Sequence, residues 1–300
     1  MSGTFLKNGI QMRWYNTAGF EMVMANGKHI LIDPFLSGKI NGLSCYPFDL
    51  DQVERCDYLI LSHIHVDHAA DVERIQKKFP GLRLFVGDLS ADPLCQWQDI
   101  DCSRLYRVRP GENIQFNDLK IQVFSGRHTE PKRGAFRKRS VDSETGLLKP
   151  DDWFGSLELQ NYLLTACDGT QILIWAGMTS EDQICRFAGL QPDIALMHVS
   201  PKQDFEEFAA LVQAINPKLV IPHHYDCTEV LFKAIPDAMK DMSEENRKKF
   251  AVHGVFDFDR YMAALEEACQ KKNPTTALLK LKHHQWYRFG FCWEEVKELF

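Results

Sequence analysis

The amino-acid sequence predicts an α/β protein built from alternating strands and helices packed in layers. Three observations carry that expectation. Short apolar runs at Tyr58 to Ser62, Gln171 to Trp175 and Leu219 to Ile221 suit buried strands. The segments 69–79 and 205–215 repeat apolar residues at helical spacing. Finally, 300 residues of which 45% are hydrophobic suffice for a sizeable core.

The elements follow in order. Ile10 to Tyr15 and Phe20 to Met24 alternate apolar and polar, as half-buried strands do, and Asn26-Gly27 marks a turn. The next strand runs from His29 to Ile32 and ends at Asp33-Pro34, because proline cannot donate to a ladder. After the strand at Tyr58, one helix is expected over Ala69 to Phe79, stopped by Pro80-Gly81. Leu82 to Val86, Ile121 to Phe124, Leu157 to Thr165 and Gln171 to Trp175 are further strands, the last two joined at Asp168-Gly169. Phe205 to Ile215 is an amphipathic helix ended by Asn216-Pro217. Near Met239 the character changes. Residues 244–249 are strongly charged, 261–272 read as a helix, and 293–300 as a last short one. The expectation is a main domain over 1–238 with a C-terminal helical appendage, 239–300, packed on it. The aromatic residues near the end, among them Trp286, Tyr287 and Phe289, are expected to cover the core.

Composition narrows the function. The net charge of -6 disfavours a nucleic-acid partner, although a local basic patch stays open. Nine scattered cysteines without a C-x-x-C pair argue for reduced thiols and against a cysteine-built zinc site. The opening stretch has no signal-peptide pattern and no run is long enough to span a bilayer, so a cytoplasmic protein without a membrane partner is expected.

The chemistry concentrates at His63-Ile64-His65-Val66-Asp67-His68, with three histidines and an aspartate in six residues. On an extended chain His63 and His65 face the same side, and Asp67 and His68 come from the opening turn of the helix that follows. A strand end feeding a helix is where α/β folds build sites. Imidazole and carboxylate suit zinc, and catalytic zinc keeps a position open for water. The bland alternative is a solvated, histidine-rich loop. His223 and His224 are neighbours, so on an extended chain only one can face such a site. His198 reads first as a core histidine with its bonds satisfied, with an approach to the site as the alternative, and His283 and His284 receive no role.

The cluster resembles the H-x-H-x-D-H signature of the metallo-β-lactamase fold superfamily. Thr17-Ala18-Gly19-Phe20, Ile30 to Pro34, Ser125-Gly126-Arg127-His128, Ile174 to Thr179 and Val220 to Tyr225 resemble further segments of that family in the same order. The resemblance covers roughly residues 10 to 237, and its closing motif looks most like the branch containing ascorbate-6-phosphate lactonase and related metal-dependent hydrolases. It implies a four-layer αββα sandwich with two adjacent metal sites. His63, His65 and His128 would hold the first ion; Asp67, His68 and His224 would hold the second.

One position departs from the family. The aspartate of its Gly-Asp-Thr motif, which bridges the two ions, is replaced by Met178. A thioether is soft and neutral, a poor partner for zinc beside hard ligands. The expected cofactor is therefore one zinc ion, with a second as an open addition and manganese or iron as alternatives. Glu181 or Asp182 could supply the missing carboxylate. Bound zinc lowers the pKa of water to about 7, so hydrolysis of a small ester, lactone or phosphodiester is the expected reaction. Asp67 serves as catalytic base or water-orienting group if the second ion is absent. Lys132 and Arg133 open the basic segment 132–139 and are the candidate substrate-binding residues for an anion. Two other readings remain: a non-catalytic metal-binding sensor, suggested by Met178, and a nuclease or phosphodiesterase. The expected partner is a small-molecule substrate, with a homo-oligomer left open.

Overall fold

The computed structural model describes residues 9–40, 42–128, 143–146, 158–201 and 204–290. The basic segment with Lys132 and Arg133, and the expected last helix at 293–300, lie outside the described residues.

Two seven-stranded sheets form the centre. The first runs, edge to edge, Trp286–Phe289, Ile10–Asn16, Gly19–Val23, His29–Ile32, Tyr58–Ile60, Arg83–Gly87 and Leu105–Val108. The second runs Ala277–Leu278, Leu219–His223, Ile194–His198, Gln171–Trp175, Gln160–Ala166, Leu119–Ser125 and Asn113–Gln115. Each sheet is antiparallel in one half and parallel in the other, and the parallel pairs are those joined through helices.

The period of two along each strand sorts the side chains into three apolar cores. Ile30, Ile32, Tyr58, Ile60 and Phe85 point inward and meet Ile121, Tyr162, Leu164, Ile174 and Ile221 of the second sheet. Their neighbours Leu31, Leu59, Leu61, Leu84 and Val86 point outward and are covered by the helices Val72–Lys78 and Asp88–Trp97. On the far side Leu163, Leu173, Trp175 and Met197 are covered by Phe205–Ile215 and Phe258–Lys272. Three cores separate four layers, the αββα sandwich. Strands buried on both faces read as continuous apolar runs, which is why they were visible in the sequence.

The single helix expected over 69–79 is two pieces, Val66–Ala69 and Val72–Lys78. The chain turns at buried Asp71, whose carboxylate accepts the Ser37 amide at 2.7 Å and Arg74 Nη1 at 2.8 Å. The helix at 205–215 has its expected bounds, with Asn216 in the left-handed region (φ 55°) as its C-terminal cap. The C-terminal stretch contributes the helices Glu244–Phe250 and Phe258–Lys272, and also one edge strand to each sheet. Tyr287 and Phe289 pack against the core between the sheets. Among the described residues no helix is long and apolar enough to cross a membrane, and eight cysteines are free thiols.

Candidate metal centre

The histidine cluster begins where the strand Tyr58–Ile60 leaves the first sheet. Ser62 departs from the ladder because Asp33 takes both its amide (2.7 Å) and its hydroxyl (2.6 Å). His63 and His65 follow on extended chain, and Val66–Ala69 supplies Asp67 and His68 from a single helical turn. His128 arrives from the end of Leu119–Ser125, and His224 from the end of Leu219–His223, both in the second sheet. All three contributions come from carboxyl ends of strands, at one edge of the sandwich.

The six side chains form two trios. In each, one ligand atom per residue lies within 4.8 Å of the other two: His63, His65 and His128 in one, Asp67, His68 and His224 in the other. Ser62 Oγ contacts His63 Nδ1 at 2.9 Å, which leaves His63 Nε2 aimed at His65 Nδ1, 2.8 Å away. In the second trio His68 Nδ1 is held by Asp33 Oδ2 at 2.9 Å, so His68 Nε2 faces Asp67 Oδ2 at 3.9 Å. His224 Nε2 lies 3.3 Å from the same oxygen. A hydrogen bond on one ring nitrogen that frees the other is how metal-ligating histidines are oriented.

The electrostatics fit a cation. Burial pushes the His65 imidazole down to about 3, and burial with the neighbouring histidines pushes His63 well below its ordinary value. Both rings are therefore neutral at pH 7, the form that ligates. Burial alone would raise the Asp67 carboxyl. The field of His68 and the hydrogen bond with His224 reverse that and hold it ionised. The neutral nitrogens of His63 and His65, gathered this closely with four further ligand-type side chains that include one carboxylate, make a donor set that suits zinc or a similar divalent ion.

Three non-glycine residues at the site carry backbone strain. Thr17, Asp33 and His224 all have positive φ (42°, 41° and 72°), a conformation costly for residues with a side chain and kept where the surroundings over-determine it. Thr17 ties the pieces together. Its carbonyl accepts the His224 amide at 2.9 Å, its hydroxyl reaches the Asp67 carbonyl at 3.1 Å, and its own amide is held by Asp226 at 2.9 Å. His283 then braces Asp226 at 3.0 Å while stacked between Trp14 and Tyr46. None of Asp33, Ser62, Thr17, Asp226 and His283 was assigned a role from sequence. Thr17 and Asp33 lie in segments that resemble the superfamily's, and Asp33 and Ser62 each end a predicted strand, but those signals carry no role for the side chains.

Both trios open into one cavity of about 260 Å³. Met178 lines it, so the residue in place of the expected carboxylate borders the site. Its amide donates to the Arg127 carbonyl at 2.8 Å. A Cβ at Gly177 would overlap that carbonyl oxygen, so glycine is what lets this loop lie against the one bearing His128. Glu181 and Asp182 do not line the cavity. Both are exposed in the first turn of Glu181–Arg186, and Asp182 accepts the Ser180 hydroxyl at 2.6 Å. His223 is turned into the core against Phe20. His198 corrects the reading of a satisfied core histidine: it lines the cavity, its ring is 4.6 Å from that of His224, and its Nδ1 has no hydrogen-bond partner among the described residues.

With this geometry in hand, known proteins give the following comparison. A family model described as "Beta-lactamase superfamily domain" matches residues 11–224. A "UPF0173 metal-dependent hydrolase" of Polynucleobacter asymbioticus is 37% identical over 251 residues, covering 79% of this chain and 82% of that protein. Among solved structures, Igni18, a metallo hydrolase from Ignicoccus hospitalis, superposes with a TM-score of 0.61 at 14% identity, over 94% of this chain and 99% of that one. CmlA, a diiron β-hydroxylase from Streptomyces venezuelae, gives 0.60 at 13% identity over 94% of this chain and 54% of its own. These two show the shared fold.

Proposed function

The chain belongs to the β-lactamase superfamily and, within it, to the metal-dependent hydrolases, and from that premise we propose that it is a zinc hydrolase of a small ester, lactone or phosphodiester. The single observation that carries this reading is the convergence of two ligand trios on one cavity. His63, His65 and His128 would hold the first ion, leaving a position open, and Asp67, His68 and His224 the second. A bound zinc supplies Lewis acidity and acidifies water toward a pKa of about 7. The protein's own part is orientation. Ser62 and Asp33 fix the rings of His63 and His68. Where the second trio holds no ion, Asp67, ionised and at the cavity wall, would accept a hydrogen bond from the attacking water or take its proton; where it holds one, Asp67 would be a ligand. With Met178 where a carboxylate is expected, the wall supplies no negative charge there, so the second trio would hold an ion more weakly than the first. The basic pair Lys132 and Arg133 would attract an anionic group on the substrate.

Met178 also supports a second reading, a protein that retains metal without turnover. The two readings separate in one experiment. Protein purified with zinc is assayed for metal content and for turnover of generic ester, lactone and phosphodiester substrates, beside His65→Ala. Bound zinc with turnover lost in the variant is the expected result. Bound zinc with equal rates rejects hydrolysis, and protein that takes up no metal rejects the whole proposal.

A further inference from the structure

His224 opens the helix Tyr225–Ala234, and the residues that follow it on the cavity side are Cys227, Thr228, Leu231 and Phe232. That spacing, three, four, seven and eight after His224, is one face of a helix. The face grades from the metal ligand through a thiol and a hydroxyl to hydrocarbon. Ala238 from the next turn completes the apolar end. Leu231 is two turns along, so this end begins about 10 Å from His224 measured along the helix axis. Phe232 is braced from behind by Phe256 and Phe258, with ring centroids at 5.6 and 6.0 Å, so the wall is a fixed surface. Among the described residues lining the cavity there is no lysine or arginine. A charge carried into this half would be desolvated without a partner.

We propose that this wall receives a short, uncharged acyl group attached to the scissile carbonyl, so that the substrate is a short-chain carboxylic ester, its reacting centre at the trios and its hydrocarbon against Leu231, Phe232 and Ala238. The proposal rests on the hydrolase reading. In the step, the acyl C–O bond breaks and the carbonyl carbon takes the oxygen of water. One hydrogen of that water ends on the released alcohol, and the other is lost when the acid ionises. Chain length is limited by space. A cavity of about 260 Å³ lies at the small end of ligand pockets, and the reacting group, with any ion held by the trios, would take up part of it.

The test uses the zinc-loaded full chain with 4-nitrophenyl acetate, propanoate, butanoate, hexanoate and octanoate. Each methylene that reaches the wall raises kcat/KM about fourfold, and the rise levels off once the cavity is full. Leu231→Asn flattens the ratio of hexanoate to acetate, and Ala238→Val moves the levelling to a shorter chain. Because ratios within one protein are compared, partial unfolding of a variant does not mimic the result. Turnover of these esters with no dependence on acyl length, or with ratios unmoved in both variants, overturns the proposal and leaves the hydrolase reading standing. If no ester is turned over above the His65→Ala background, the hydrolase reading falls instead. Calorimetry with acetate, butanoate and hexanoate then decides the wall by itself: affinity that rises with length and loses that rise in Leu231→Asn supports it, and flat affinity rejects it.

Discussion

Asp33 Oδ2 lies 2.9 Å from His68 Nδ1, with the aspartate side chain fully closed to solvent and the histidine nearly so. The same carboxylate takes the Ser62 hydroxyl, which in turn touches His63 Nδ1. One residue outside both trios thus aims a ring in each. Asp33→Asn keeps the size and tolerates the positive φ, but removes the charge behind His68. It is expected to weaken metal affinity about 10- to 100-fold. Competition with a chromogenic chelator measures this, and an unchanged affinity would sink the assigned role.

Met178→Asp restores a carboxylate to a wall shared by the two trios. The bound metal per chain, read by elemental analysis after dialysis against dilute zinc, should rise from one ion toward two. An unaltered ratio would show that Met178 does not limit the second ion.

Away from the site, Asp57 sets an acid limit. Burial works to raise its carboxyl, but hydrogen bonds from Arg55 Nε (2.6 Å), Lys28 Nζ (2.8 Å) and the His29 amide (3.0 Å) outweigh it and hold the group at about 2. An unfolded aspartate titrates near 3.9. A depressed carboxyl contributes stability that is complete above about pH 4 and lost as pH falls through about 2. Asp57→Asn should cost about 1 kcal/mol at pH 7. Denaturant melts of both proteins should converge as the pH is lowered from 4 to 2, and a constant difference would contradict the assignment.

The core between the sheets makes a mechanical prediction. Ile174 is 2% exposed there, so Ile174→Ala should cost about 2–5 kcal/mol in denaturant melts. Leu89, 53% exposed, should tolerate alanine within about 0.5 kcal/mol, and equal effects would place the core wrongly.

Much of this was legible in the sequence for physical reasons. Strands such as His29–Ile32 and Gln171–Trp175 are buried on both faces, and that burial writes an apolar run wherever it occurs. His63, His65, Asp67 and His68 were legible because residue types that bind metal are rare and were dense there, whereas His128 and His224 were placed only by the resemblance to the superfamily. The helix Asp88–Trp97 was not, because Pro93 sits inside it and its apolar face is short. Thr17, Asp33 and His283 were not because their partners lie far along the chain: Asp226, Ser62 and Trp14 become neighbours only after the sheets assemble. Local pattern carries element type; it carries no record of which distant carbonyl or carboxylate a strained residue will meet.

Each trio takes two side chains from the segment after Tyr58–Ile60 and its third from the opposite sheet, His128 in one case and His224 in the other. An ion held there is a cross-link between the two halves of the sandwich. Its binding energy then adds to folding, by about 2.7 kcal/mol when free metal is 100 times its Kd. Chelation should lower the melting temperature as well as stop turnover, and calorimetric scans with and without chelator measure the difference. In a cell starved of metal, such a chain would be less stable as well as inactive, so its abundance would fall with the metal supply.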